Sequence, residues 1–274
     1  MKPTLAQVTR ELLAAYDRYP RKRLGQHFLV DPQVLNRIIE AAKISRDDLV
    51  LEIGSGMGLL TSEIAKRSYQ VIAVEIDKEL VRISKDVLKD FENVTFVSQD
   101  ILKADFKELV LGRKFKVIGN LPYYITAPII GKILESEEKP ELAVLMVQKE
   151  VAERMAAPPG SKAYGSFSIF IQFYAEVEIN SFVSKSSFHP WPEVGSALVT
   201  LTPYKEPRYD VKDKKLFFDI VHAAFQQRRK KLRNSLEGFN LKNVEIDLNR
   251  RPETLTLEEF VEIANSVLES AQTQ

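Results

Sequence analysis

Four consecutive residues, Asn120-Leu121-Pro122-Tyr123, combine a side-chain amide, a backbone carbonyl, a stiff turn and an aromatic ring. Together they suit reaction at the exocyclic amine of a planar base such as adenine. That amine is a poor nucleophile, because its lone pair is delocalised into the ring, and attack on a methyl group requires the nitrogen to move towards tetrahedral geometry. Two acceptors aimed at its N–H bonds, the Asn120 side-chain oxygen and the Leu121 carbonyl, favour that geometry and place the nitrogen in line. Pro122 stiffens the turn and donates no competing N–H. Tyr123 can stack on the base and present its π face to a cationic sulfur. No general base is needed, since the methylated amine sheds its proton once formed. A plain turn is the competing explanation. The position of these residues directly behind the apolar run Phe115 to Gly119, with an aromatic in fourth place, argues against it.

A second constellation, Glu52-Ile53-Gly54-Ser55-Gly56-Met57-Gly58, follows the apolar run that starts at Leu49 and precedes a helical pattern. Its spacing is G-x-G-x-G. Leu59 stands where a dinucleotide fingerprint wants its third glycine, which disfavours a pyrophosphate ligand. S-adenosylmethionine has no phosphate; it needs a close backbone approach and acceptors for its ribose and adenine. Glu75 ends the next apolar run, where a carboxylate can take both ribose hydroxyls, and Asp100 follows the one after, where it can accept from the cofactor's adenine amine. The expected cofactor residues are therefore Glu52, Gly54, Gly56, Gly58, Glu75 with Ile76, and Asp100 with Ile101, meeting Asn120 at the reacting centre. Either acid alone would read as a strand end; two in succession behind this loop favour the cofactor. Asp77 reads as the N-cap of the following helix.

A base stacked in RNA must swing out to reach such a pocket, and it needs an aromatic on its other face. Phe188 is expected there, at the head of the proline-stiffened loop Phe188-His189-Pro190-Trp191-Pro192, with packing beneath the loop as the alternative. His189 and Trp191 read as rim or packing residues. His27, His189 and His222 lack metal-ligand spacing, so no metal is expected.

The elements that must hold these residues are legible as short apolar runs: Leu49 to Ile53, Val71 to Glu75, Val94 to Ser98, Phe115 to Gly119 and Leu142 to Val147. They are nearly continuous rather than alternating, as parallel strands covered on both faces should be. Helical patterns such as Leu59 to Arg67 and Lys78 to Lys89 lie between them, and Asp31 with Pro32 opens the alternation as a cap and first helical residue. The fold class is a doubly wound α/β sheet. Ile169 to Val183 and Ser196 to Thr202 read as strands of an antiparallel hairpin at its edge. Pro203 to Asp210 reads as a linker. Helices follow over Leu216 to Phe225, the basic stretch to Leu236, and Leu257 to Leu268, the last with a capping box from Thr256 and Glu259. The expected division is a catalytic domain over 1–204, with an N-terminal extension over 1–24, and a small all-helical domain over 205–274.

Composition sets outer bounds. A chain of 274 residues with 45% hydrophobic content can bury one large core and one small one. The net charge is +1, so affinity for a nucleic acid must come from distribution. Two acid-free windows stand out: Arg18, Arg21, Lys22 and Arg23, then Arg228, Arg229, Lys230, Lys231 and Arg233. Cysteine is absent, which excludes disulfides and thiolate chemistry and fits a reducing compartment. The N-terminus has Leu5, Val8, Leu12 and Tyr16 at helical spacing but no apolar stretch of signal-peptide type, and no run nears the roughly 20 residues a membrane span needs. A soluble cytoplasmic protein is expected.

Taken together, these residues make the chain resemble the bacterial small-subunit ribosomal RNA adenine dimethyltransferases. The likeness runs from Lys22 to Leu236 through Gly25-Gln26-His27-Phe28-Leu29, the glycine loop, Asn120 to Tyr123, Gln148-Lys149-Glu150-Val151, Lys162-Ala163-Tyr164-Gly165, the Phe-x-Pro-x-Pro loop and Phe225 to Leu236. The resemblance implies a Rossmann-like class I S-adenosylmethionine methyltransferase sheet and a helical RNA-binding domain. It implies dimethylation of two adjacent adenosines in the 3′-terminal hairpin loop of 16S rRNA, within an immature 30S subunit. It further implies that Gln26, His27 and Leu29 contact the methionine part of the cofactor, Gly54 its backbone-facing side, Glu75 the ribose, Asp100 the adenine and Asn120 the reacting centre. The two basic windows, Lys22 and Arg23 and then Arg228 to Arg233, are expected to contact rRNA phosphates, giving orientation rather than sequence choice; a solvated charged surface is the alternative. Two positions depart from the family pattern: His27 where Asn is usual, and Gly195 where Asp is usual. A large-subunit rRNA dimethyltransferase of the antibiotic-resistance type would share the cofactor loop and acceptor motif. A ribosome-assembly factor that binds RNA without catalysis would share the fold. The Arg-rich segment and the match over Lys162 to Gly165 favour the small-subunit enzyme, and the intact acids and Asn120 favour catalysis. A monomer is expected.

Overall fold

In the computed structural model, which describes residues 3–272, the apolar runs become strands, all covered on both faces except the half-exposed Val94–Ser98 at the sheet edge. The strands are β1 (Phe28–Leu29), β2 (Leu49–Ile53), β3 (Gln70–Glu75), β4 (Val94–Ser98), β5 (Phe115–Asn120), β6 (Leu142–Gln148), β7 (Ala175–Val183), β8 (Phe188–His189) and β9 (Ser196–Pro203). Seven of them form one sheet in the order β4-β3-β2-β5-β6-β9-β7. β2 to β6 pair in parallel and β9 runs antiparallel to β6, with Gln148 opposite Ser196. The strand order, not the strand direction, reverses between β2 and β5, the position at which open α/β sheets bind ligands. Ile53 lies opposite Gly119 in that pair, so the glycine loop and the Asn120 turn leave adjacent strand ends.

The described residues form two units, one of 3–152 with Glu178–Pro203 and the other of Glu153–Val177 with 204–272. In the first, the helix Pro32–Ala42 is capped by Asp31, whose carboxylate accepts from Gln33 N at 2.9 Å and Val34 N at 3.4 Å. It buries Val34, Leu35 and Ile38 against Ile118, Val144 and Met146 of the sheet. Each such side chain stabilises the unit by roughly 1.5–3 kcal/mol. The helix Leu5–Ala15 starts at a capping box of Thr4 and Gln7 and packs Leu13 against Met57, Leu80 and Ile83.

The second unit holds Tyr164 and Ile169 in one core with Phe217, Ile220, Leu232, Leu236, Phe260 and Ile263. The boundary expected at 204/205 leaves 153–177 with the sheet; their packing partners are instead these helical residues. Part of the reason is a misread element: Ser166–Tyr174 is a helix, not the start of a strand. Its β-branched and aromatic residues mimic a strand, but Ser168 Oγ accepts from Gly165 N at 3.1 Å and caps the helix. Phe173 then stacks on Phe217 at 5.0 Å. The antiparallel edge begins only at Ala175. The basic stretch also differs from expectation, because the helix Lys214–Gln226 stops at Gln227, whose φ of −123° and ψ of 53° leave helical geometry. A turn follows, then the short helix Leu232–Ser235, with Leu232 N donating to Arg250 O at 2.9 Å. The last helix, Leu257–Gln272, carries the expected capping box: Thr256 N donates to Glu259 Oε2 at 2.8 Å and Glu259 N to Thr256 Oγ1 at 3.3 Å. No helix among the described residues is long and apolar enough to cross a membrane.

Candidate active site

The site is built where β2, β3 and β5 end. Gly54 has a φ of +76°, a left-handed conformation that glycine adopts without strain, and a Cβ there would lie 3.6 Å from the Asn120 carbonyl. The next glycine, Gly56, donates its N–H to Glu75 Oε2 at 3.0 Å, while Asp77 N donates to Glu75 Oε1 at 2.9 Å. Glu75 is 8% exposed, and burial raises its carboxyl above the usual range against the pull of these amides. Asp100 Oδ1 accepts from Leu102 N at 2.9 Å, fixing its side chain just beyond the end of β4. One cleft is lined by Gln26, His27, Gly54, Gly56, Glu75, Ile76, Asp100, Ile101 and Asn120 to Tyr123. The sequence expectations thus converge on one cavity, with Leu29 and Glu52 lining a smaller recess beside it that shares Gly54, Gly56 and Asn120. Gly58 lines neither. Its Cβ would sit 2.8 Å from Leu88 Cδ1, so what requires glycine there is helix packing.

Glu52 is 1% exposed and neither carboxylate oxygen has a hydrogen-bond partner. Burial, opposed by the nearby Thr61 hydroxyl and reinforced by Glu75, pushes its carboxyl up to about 8. A buried unpartnered acid is costly, and one beside an open recess marks a place for a cationic group.

Asn120 donates Nδ2 to the His27 carbonyl at 2.9 Å. Because that carbonyl can only accept, the amide orientation is settled and Oδ1 is the group presented for acceptance. Leu121 N donates to Met146 O at 3.1 Å, and Pro122 O accepts from Thr126 Oγ1 at 3.0 Å, which locks the turn. The Tyr123 hydroxyl bonds Ser196 Oγ at 2.7 Å and its ring stacks on His27 at 5.8 Å and 26°. Burial raises the Tyr123 hydroxyl pKa. His27 donates Nδ1–H to Pro190 O at 2.8 Å, the tautomer that a carbonyl partner requires.

Three placements differ from the sequence expectations. Phe188 is not at the cleft: it is 1% exposed and packs with Leu29, Val34, Val183 and Leu198, because β8 pairs with β1 in a register that sets Phe188 opposite Leu29. Gln26 lines the cleft, but both ends of its amide are engaged, Nε2 with Asp77 at 3.0 Å and Oε1 with Arg21 N at 2.8 Å. Asp77 is more than a helix cap. It also binds Arg18 at 3.1 Å and Arg21 at 3.4 Å with its side chain 1% exposed, so half of the first basic window is spent on the fold while Lys22 and Arg23 stay exposed. Two arginines shortly ahead of the Gly25-Gln26 pair were the only available sequence signal for this tie, and they read equally well as surface charge. In the second window Arg228 is half-buried and donates to Ser161 O at 3.1 Å, Lys231 and Arg233 bond Asn249, and Arg229 and Lys230 are exposed.

A mixed sheet of this order, with a glycine loop at the switch point and a carboxylate at the end of each of the next two strands, defines a class I methyltransferase fold. Residues 19–269 match the family Ribosomal RNA adenine dimethylase, and the chain belongs to it. A relative from Clostridioides difficile (strain 630), named Ribosomal RNA small subunit methyltransferase A, is 43% identical over 94% of each chain. A dimethyladenosine transferase from Plasmodium falciparum superposes with a TM-score of 0.74 at 28% identity, covering 90% of this chain and 98% of its own. The 23S rRNA methyltransferase ErmE superposes with a TM-score of 0.72 at 27% identity over 88% and 99%.

Proposed function

We propose that this chain transfers methyl groups from S-adenosylmethionine to the N6 amines of two adjacent adenosines in the 3′-terminal hairpin loop of 16S rRNA, in immature 30S subunits in the cytoplasm, acting as a monomer. The observation that carries the chemistry is Asn120, whose amide is turned by the His27 carbonyl so that Oδ1 accepts beside the glycine loop. When bound, the cofactor supplies an electrophilic methyl on a sulfonium. The chain's residues do the rest. Asn120 Oδ1 and the Leu121 carbonyl take the two amine N–H groups and hold the nitrogen in line. Tyr123, fixed by Ser196, offers the base a stacking face. Glu75 keeps unused lone pairs after binding Gly56 N and Asp77 N, and these accept the ribose hydroxyls. Asp100 accepts from the cofactor's adenine amine. Glu52 pairs with the cationic amino end of the methionine part, which relieves its orphaned burial. Gln26 acts by holding the segment that precedes His27. Arg229, Lys230, Lys22 and Arg23 are the exposed cations available to RNA phosphates.

The choice of the small subunit rests on the relative from C. difficile together with the Arg-rich segment, since the fold alone matches both substrate classes. The deciding assay incubates the protein and labelled cofactor with small subunits from a strain lacking the modification, and in parallel with naked large-subunit rRNA. Label confined to the small-subunit RNA is expected; label only in the large-subunit RNA overturns the assignment. Asn120→Ala is expected to abolish methylation and to leave particle binding unchanged.

A further inference from the structure

Beside the cleft, a second recess shares His27, Tyr123 and Tyr124 with it and is otherwise walled by Pro20, Lys22, Gln148, Trp191, Glu193 and Val194. The recess holds about 620 Å³, within the roughly 300–1,000 Å³ of a complete small-molecule pocket, so it can take a group of its own beside the base held at Asn120. Its apolar residues are held in the open: Trp191 is 71% exposed, Tyr124 56% and Val194 42%. These are clustered at one mouth, unlike the isolated surface apolar residues that need no explanation.

The Trp191 backbone is held on both sides. Pro190 O accepts from His27 Nδ1 at 2.8 Å, the preceding His189 pairs with Phe28, Lys185 bonds the Glu193 carbonyl, and Lys149 N donates to Gly195 O at 3.0 Å. Pro190 and Pro192 flank Trp191 in the sequence. An aromatic ring on a stiff loop loses little freedom when something stacks on it, and indole and phenol faces accept any nucleobase. Lys22 in the same wall supplies a cation for the connecting phosphate.

We propose that Trp191, with Tyr124, forms a stacking platform for the nucleobase adjacent to the one held at Asn120, so that Trp191 positions the RNA while touching none of the reacting atoms. The identity of that neighbour as the second adenosine rests on the proposed function. Trp191 is the one tryptophan of the chain, so its fluorescence reports on this loop alone. Titration with a hairpin RNA carrying two adjacent adenosines is expected to quench it, and the same RNA with an abasic site in place of one adenosine is expected to quench it far less. On unmodified small subunits Trp191→Ala is expected to raise KM for the particle roughly 10- to 100-fold, to leave the cofactor KM unchanged, and to be largely rescued by Trp191→Phe. Wild-type kinetics in Trp191→Ala, equal quenching by the abasic RNA, or quenching that follows protein rather than RNA concentration and so reports a contact between copies, each overturns the platform. A wild-type enzyme that methylates no small subunit overturns the proposed function instead, and the quenching comparison still decides the stacking.

Discussion

Asn120, Glu52 and Tyr123 show how much a single side chain's surroundings add to its type. The sequence identifies Asn120 as an acceptor; only the fold shows that His27 O turns the amide so that the oxygen is the end presented. Glu52 carries a consequence for stability. Its carboxyl is pushed up to about 8 in the folded chain and titrates near 4.5 when unfolded. Between those values the folded state holds a proton that the unfolded chain has released, so this group's contribution makes stability fall as pH rises from about 4.5 to about 8, and level off above. Thermal unfolding across that window should show the Glu52→Gln variant losing this slope relative to wild type and gaining most at the upper end; parallel profiles for the two proteins would refute the assignment. At Tyr123, replacement by Phe keeps the ring and removes the bond to Ser196, worth roughly 0.5–1.5 kcal/mol. A loss of less than about tenfold in kcat/KM for the particle is expected, against a far larger loss for Tyr123→Ala.

Among the elements, those whose pattern depends only on local burial were legible. The five parallel strands appear within a residue of their apolar runs, four of them because a strand covered on both faces needs no alternation, while the half-exposed edge strand β4 is carried by Val94, Phe96 and Val97. The Asp31, Asp77 and Thr256 caps were likewise readable, because capping is an interaction within three residues. What escaped depends on partners distant in sequence. Ser166–Tyr174 has a strand-like composition and folds as a helix because Phe173 and its neighbours meet Phe217 and Phe218. Phe188 sits in the core through pairing with a two-residue strand too short to show any period. Gly58 belongs at this scale also. Alanine there would combine a φ of +83° with a Cβ 2.8 Å from Leu88 Cδ1, and Gly58→Ala is expected to cost about 1–3 kcal/mol in denaturant unfolding. An unchanged unfolding midpoint would show that the loop and helix can yield at no cost.

For the molecule as a whole, a net charge of +1 leaves RNA affinity to local clusters, and the structure sorts those clusters residue by residue. Arg18, Arg21 and Arg228 are bound within the protein, whereas Lys22, Arg23, Arg229 and Lys230 are exposed. Replacing Arg229 and Lys230 together by Glu should weaken particle binding and make its salt dependence shallower, by about one unit of log–log slope for every phosphate that is no longer neutralised. Arg228→Ala should act differently, lowering the thermal stability of the turn near Ser161 with a smaller change in salt slope. Equal slopes for the double variant and wild type would return these residues to solvated surface.

The hydrogen bonds from Gly56 and Asp77 to Glu75 tie the cofactor loop to the last residue of β3, where Glu75 lies opposite Ser98. Side chains alternate faces along a strand, so losing a single residue from 70–75 would turn Glu75 to the opposite side of the sheet. The alignment of the loop is therefore counted out in strand residues. Substitutions along β3 can be absorbed one at a time, while a change in its length disconnects the loop outright, even though every glycine and every acid is still there in the sequence.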